Sequence, residues 1–382
     1  METKTPLYYS EYLHLDKILN AQHPKSAEGG KAAAHEEMLF IIVHQAFELW
    51  FKQVRHELSS IIDSLHKDRI DDNTDEMSMI VQRLYRIIKI IHLMNDQFEV
   101  LETMKPLNFL DFRRYLYPAS GFQSKQFRMV EAMLGLKMGN RHMPEHYKNV
   151  KAHAGGFRQA DYEEITMVEN NLSVLEGVKN WLSRMPFFHP ELWKEYNSLF
   201  PDQVASDNIF LSDYYHLYQQ AQSELSSGSL KEYRAQQDAT VPDANSNDTF
   251  RRLFMEQGSG MFSAKEMTAA LFIQLYGQHP MLHLPFELIN SLVEIDDLLS
   301  LWRYRHFSMV KKMIGSSPGT GGTDGAGYLF GAVQKNRVFA DLLVLPTFFI
   351  EKSKLPVLPR KLKDLLEFSH GYSIEDFVGA SA

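Results

Sequence analysis

Over its longest segments, apolar residues recur in this chain at alternating intervals of three and four. That spacing constrains the fold more than any other feature. Between about residues 285 and 314 the stripe is Leu288, Leu292, Ile295, Leu299, Trp302, His306, Met309 and Met313. Such alternation places the side chains on one face of an α-helix. Pro285 suits the start of that helix and Gly315 suits the position just past its end. A second stripe, Val43, Phe47, Trp50, Val54, Leu58, Ile61 and Leu65, predicts a helix over about 35–66. A third, Met77, Ile80, Leu84, Ile87, Ile91, Met94, Phe98 and Leu101, predicts one over about 76–104, with Pro106 as its stop.

The remaining segments fit the same class. Residues 123–136, 162–185 and 338–345 read as further helices. Ser263 and Glu266 have the spacing of a capping box, so another helix starts there. Residues 107–122 read as aromatic and irregular, broken by Pro118 and Gly121. Residues 186–260 are richer in polar residues and read as an excursion with one or two short helices around 212–226. Strand signals are sparse and no repeat recurs at a fixed period. The expected fold is all-α: a large helical bundle forming one domain over 1–382, with an N-terminal arm over 1–35 and the polar excursion over about 186–260. A length of 382 residues permits this, although two or three average domains would also fit.

Composition narrows the chemistry. The chain has no cysteine, which removes disulfides, Cys-bearing zinc sites, iron–sulfur clusters, thiolate nucleophiles and thiolate-ligated or C-x-x-C-H-attached haem. Its 16 histidines are then the main candidates for ligating a soft metal. A net charge of −8 argues against nucleic acid and anionic membranes as main partners. The first residues lack the apolar core of a secretory signal, and no stretch reaches the length needed to span a bilayer. The expectation is a soluble, cytoplasmic protein.

Two histidines stand out because they occupy apolar helix faces. His306 sits where a leucine would complete its stripe. It is either a core histidine satisfied by a hydrogen bond or an axial ligand to a haem held between helices. His44 shares a face with Phe40, Phe47 and Phe51, which suits core packing or an aromatic pocket for a flat substrate. Arg113 and Arg114 follow Phe109-Leu-Asp-Phe112 and include a candidate carboxylate clamp. The glycine-rich loop from Pro318 to Gly327 lacks the Gly-Lys-Ser/Thr of a P-loop and follows no strand. It is a linker or a loop closing over a small ligand through Thr320. Other metal readings are weak. Glu11/His14 and Glu367/His370 lie outside the long helices, and prolines interrupt His279/His283 and His142/His146.

Six ordered blocks together resemble the tryptophan 2,3-dioxygenase family over nearly the whole chain. They are Tyr9-Ser-Glu-Tyr-Leu-His-Leu-Asp-Lys-Ile-Leu-Asn-Ala-Gln22, His44-Gln-Ala-Phe-Glu-Leu-Trp-Phe-Lys-Gln53, Phe109-Leu-Asp-Phe-Arg113, Pro118-Ala-Ser-Gly-Phe-Gln-Ser124, Trp302-Arg-Tyr-Arg-His306 and Gly319-Thr-Gly-Gly322. Residues 186–260 are the least similar part.

The resemblance implies an oxidoreductase that opens the indole ring of L-tryptophan with O₂ to give N-formyl-L-kynurenine, the first step of tryptophan degradation. It implies one non-covalent b-type haem per subunit, with His306 as the iron ligand and Ser120, Gly121 and Trp302 lining the haem pocket. His44 matches the catalytic histidine that contacts the indole N–H. Arg113 matches the partner of the substrate carboxylate, Thr320 a contact to its ammonium and carboxylate groups, and Phe40 and Phe109 the pocket walls. Tyr9, Tyr12 and Leu13 match an arm that reaches into the neighbouring subunit's site in a homotetramer. A haem-dependent monooxygenase of the same superfamily, acting on an indole or tyrosine derivative, is the alternative. Val43 stands where some family members carry threonine, on the packing stripe.

Overall fold

In the computed structural model the three apolar stripes become three long helices, α1 (His35–Leu65), α2 (Asp75–Leu101) and α9 (His283–Ile314). The structure describes residues 6–67, 75–148, 150–151, 155–203, 206–227, 247–317, 319 and 325–367. Every residue of the α2 stripe, from Met77 to Leu101, is buried. On α1 the pattern shifts at one turn: Phe51 is buried, while Trp50, the stripe residue, is only half-buried. Aromatic residues occupy both positions, so spacing alone could not choose between them. On α9, Leu288, Leu292, Ile295 and Leu299 are buried, whereas Trp302 and His306 are partly open. Gly315 follows with φ +60°, the left-handed conformation that ends a helix and that glycine adopts without strain.

Between α2 and α9 run α3 (Pro106–Leu116), α4 (Lys125–Leu134), α5 (Gln159–Asn170), α6 (Val174–Ser183), α7 (Ile209–Ser227) and α8 (Ala264–Tyr276), and α10 (Gly325–Lys335) follows α9. The described residues contain no strand, so the all-α expectation holds. Several local expectations are corrected. Residues 107–122 are not irregular throughout, because Pro106 opens α3 from its first turn, where a missing N–H costs nothing. The stretch 162–185 is two helices, not one. Ser173 restarts the chain with a capping box: its Oγ accepts from Glu176 N, and Glu176 Oε2 accepts from Ser173 N. The helix expected over 338–345 is a 3-10 helix, Ala340–Phe348, carrying Pro346. The Ser263–Glu266 capping box forms as expected.

The chain divides into two compact units. The first comprises Met1–His56, Lys89–Asn171 and Leu298–Asn336, the second Glu57–Ile88, Leu172–Asp297 and Arg337–Ala382. In the first, Met129, Tyr147, Phe157 and Ile165 form a core cluster with Phe122 against it. In the second, the polar stretch over 186–260 supplies Phe187, Phe210, Tyr214, Tyr218 and Phe250 to a buried aromatic core with Phe272 and Phe348. Within that core Asp213 is fully buried and accepts from Tyr196 Oη, Ser198 Oγ and Leu199 N, each at 2.7 Å. No helix among the described residues is long and apolar enough to cross a membrane.

Candidate active site

The first unit holds a cavity with about 1350 Å³ of atom-free space, part of it open to solvent. One wall is built by α1 and α3. Phe40 and His44 are four residues apart on α1 and so share a face, with ring centroids 4.1 Å apart. Phe109 from α3 lies 5.8 Å from Phe40, and Phe112 meets both edge-on. Arg113 follows on α3 and lines the cavity. His44 Nδ1 lies 2.7 Å from the Phe40 carbonyl oxygen. A carbonyl only accepts, so Nδ1 carries the proton and Nε2 is left as the acceptor of a neutral ring. Burial lowers the pKa of His44, against smaller opposing effects of the Phe40 carbonyl and Glu48, and so favours that neutral form.

Ser120 and Gly121 form a turn joining this wall to α4. Ser120 Oγ accepts from Phe122 N at 3.3 Å, and Gln123 Oε1 accepts from Ser120 N at 3.2 Å. A Cβ placed on Gly121 would meet no atom within 4 Å. Glu48 of α1 anchors the start of α4, accepting from Ser124 Oγ at 2.5 Å and from Gln126 Nε2 at 3.2 Å.

The opposite chemistry comes from α4 and α9. His306, Met309, Val310 and Met313 line the cavity from α9, with Trp302 one turn before His306 at 5.7 Å between ring centroids. Burial, reinforced by His44 and Arg128, pulls His306 down to about 4, so it too is a neutral imidazole near neutral pH. Beside it lies a buried charge cluster. Glu131 of α4 is 1% exposed and accepts from Arg128 Nη1 at 2.8 Å, from Arg303 Nη2 at 2.7 Å and from Arg141 Nη1. Burial alone would raise the Glu131 carboxyl, but the three guanidinium groups outweigh it and hold the group well below the usual carboxylate range. Among the described residues, Arg303 Nε and Nη1 and Trp302 Nε1 are buried without a hydrogen-bond partner.

Of the residues singled out from sequence, Phe40, His44, Phe109, Arg113, Ser120, Gly121, Trp302 and His306 line this one cavity. Gly319 lines it as well, whereas Thr320 lies outside the described residues. Tyr9, Tyr12 and Leu13 do not line it; Tyr9 is 71% and Tyr12 66% exposed. Sequence reasoning missed Arg128, Arg303 and Asn336, all in the lining. Arg128 and Glu131 have the i, i+3 spacing of a solvated surface pair, which hides their burial. Among the described residues, no group of three or more His, Asp or Glu side chains is placed to hold a metal ion. The pair Glu367/His370 is only half within them.

Comparison with known proteins gives a consistent result. A family model described as tryptophan 2,3-dioxygenase matches residues 2–349. A protein of Bdellovibrio bacteriovorus with that name is 40% identical over 377 residues, covering 96% of this chain and 99% of its own. One of Alteromonas mediterranea is 41% identical over 377 residues, covering 95% and 98%. One of Dictyostelium discoideum is 38% identical over 378 residues, covering 95% and 88%.

Proposed function

This chain belongs to the tryptophan 2,3-dioxygenase family, and on that premise we propose that it opens the indole ring of L-tryptophan with O₂ to give N-formyl-L-kynurenine, using one non-covalent b-type haem per subunit. The observation that carries this reading is the cavity itself. Two neutral histidines from different helices line it, together with phenylalanines for a flat ring and an arginine for a carboxylate.

The residues present fit a haem. A lone imidazole cannot hold a bare metal ion, so His306 suits a metal that brings its own macrocycle. The apolar side chains of Met309, Met313 and Phe51 suit the macrocycle, and Arg128 and Arg303, which line the cavity, suit a group bearing carboxylates. In this reading His306 would ligate the haem iron, and Trp302, Ser120 and Gly121 would complete the pocket. When bound, the haem supplies the oxygen activation.

The chain's own residues then bind and orient the substrate. Arg113 pairs with the tryptophan carboxylate through a charge-assisted hydrogen bond. Phe40 and Phe109 cover the indole and exclude water from it. His44 Nε2 accepts the indole N–H, because its Nδ1–H is already committed to the Phe40 carbonyl. Thr320 completes the contacts to the amino-acid end. In the overall reaction the indole C2–C3 double bond breaks and both atoms of O₂ enter the product, so no reductant is consumed. Tyr9, Tyr12 and Leu13 reach a neighbouring subunit's cavity in a cytoplasmic homotetramer; the exposure of the two tyrosines supports this assignment.

The test is turnover of L-tryptophan under O₂ by reduced, haem-loaded protein, followed by N-formylkynurenine absorbance and product mass. A ring-opened product carrying two added oxygen atoms is expected. A product with one added oxygen, or no tryptophan-dependent O₂ uptake, would overturn the reading.

A further inference from the structure

One wall of the cavity rests on a contact that a Cβ could not make without a shift of its neighbour. The helix α10 contributes Leu329 and Ala332 to the lining, and Asn336 follows at its end. A Cβ added at Gly331, in the middle of this helix, would lie 2.5 Å from His142 Cδ2 and closer still to Cε1 and Nε2. The α10 backbone therefore sits directly on the face of the His142 imidazole.

The main chain of His142 is held in place. Its backbone N–H donates to Asn336 Oδ1 at 2.7 Å, so the same segment that carries the ring is tied to the end of α10. Its neighbour Arg141 is 4% exposed, pairs with Glu131 and donates to the Leu136 carbonyl at 3.3 Å. Glu131 in turn accepts from Arg303, three residues before His306 on α9. A continuous set of contacts thus runs from α10 through His142, Arg141 and Glu131 to the part of α9 that lines the cavity.

We propose that the Gly331–His142 contact sets the distance of α10 from the cavity, making both positioning residues that fix how closely Leu329, Ala332 and Asn336 approach the substrate. The proposal rests on the reading of the cavity as a tryptophan site. Ordinary carbon contacts lie near 3.5–4.0 Å, so a methyl group at Gly331 pushes α10 outward by about 1 Å. Alanine is otherwise the better helix former, so any loss comes from His142 and not from helix propensity.

The experiment compares wild type, Gly331→Ala, His142→Ala and the double variant as haem-loaded full-length proteins. Amide hydrogen exchange over 325–336 and KM and kcat for L-tryptophan are the readouts. Gly331→Ala should speed exchange in that segment and raise KM about tenfold, the scale of a 1 Å misplacement, with a smaller change in kcat. Removing the ring in the double variant should return both readouts toward the wild type. A double variant as impaired as Gly331→Ala would overturn the contact as the cause. Faster exchange with an unchanged KM would overturn the positioning role. Absence of tryptophan turnover in the wild type would sink the functional reading and the positioning role with it, while the exchange data would still decide whether the contact holds α10.

Discussion

On one wall of the cavity His44 packs against Phe40 and Phe47, and its Nδ1–H is bound by a carbonyl four residues back in its own helix. On the other, His306 packs against Trp302 and Phe98 and lies three residues from Arg303, whose guanidinium is bound to Glu131 of another helix. Burial is the main cause that keeps both rings neutral, but their surroundings differ. The tautomer of His44 follows from local helix geometry, and nearby phenylalanines of the same helix pack against its ring. His306 lies beside a charge cluster assembled from residues up to 175 positions apart in sequence, Arg128 to Arg303. Damage to the first wall should therefore show in substrate recognition. Damage to the second should show in cofactor retention and in folding.

The largest expected effect is His306→Ala. Protein purified under haem-replete expression should lose stoichiometric haem and its Soret band, while His44→Ala retains both. Equal haem content in the two variants would erase the distinction between the walls. Next comes Glu131→Gln. Removing the single carboxylate leaves three guanidinium groups without a counter-charge, at a cost of about 3–5 kcal/mol of stability. Chemical denaturation should report this as a lower midpoint. Its pH dependence has a definite sign. The folded-state pKa of Glu131 is depressed, so its stabilisation is complete above the unfolded value of about 4.3 and is lost as pH falls toward the folded value. The wild type should weaken in that acid range more steeply than Glu131→Gln. Superimposable acid profiles would mean that the cluster does not support the fold.

The same contrast governs what the sequence could reveal. The His44 wall was legible because its parts are local: Phe40, His44 and Phe47 follow helical spacing, and Phe109 to Arg113 form one short run. The long stripes were legible for the same reason, since burial on one helix face repeats at a fixed interval. The charge cluster was not. Around Arg128, Glu131, Arg141 and Arg303 nothing local signals that a distant guanidinium will neutralise a buried acid. Residues 186–260 show the opposite difficulty. Their Gln, Asn, Asp and Ser content suggested an excursion, yet Phe210, Tyr214 and Phe250 are fully buried. Overall polarity averaged away a few large aromatics that decide where the segment packs. The position of α10 was hidden as well, because no helix was expected over 325–335 and nothing marks Gly331 until His142 is seen beneath it.

A smaller effect is expected from Arg113→Ala on the first wall. Its loss removes a charge-assisted hydrogen bond in a cavity part of which is open to solvent, worth about 2 kcal/mol of tryptophan affinity. KM should rise while haem content and thermal stability stay unchanged. An unchanged KM would place the carboxylate elsewhere, and a fall in haem content would mean that the two walls are not separable.

The smallest effect belongs to His44→Ala. A neutral hydrogen bond contributes about 1 kcal/mol, so the loss in kcat/KM for L-tryptophan should be only about fivefold. Its signature lies in discrimination rather than in size. Wild-type protein should prefer L-tryptophan over 1-methyl-L-tryptophan, because the methyl group removes the donor that His44 Nε2 accepts and occupies its place. The variant should lose most of that preference, having neither the acceptor nor the ring that the methyl group meets. Acidity offers a second check. Protonation of His44 converts Nε2 from acceptor to donor, and burial holds its pKa below the ordinary histidine value. The wild-type advantage over the variant should thus persist at neutral pH and fade as pH falls through that lowered value. An advantage that persists unchanged into the acid range would mean that His44 contributes packing and not a hydrogen bond, leaving Phe40 and Phe109 as the wall's only means of recognising the indole.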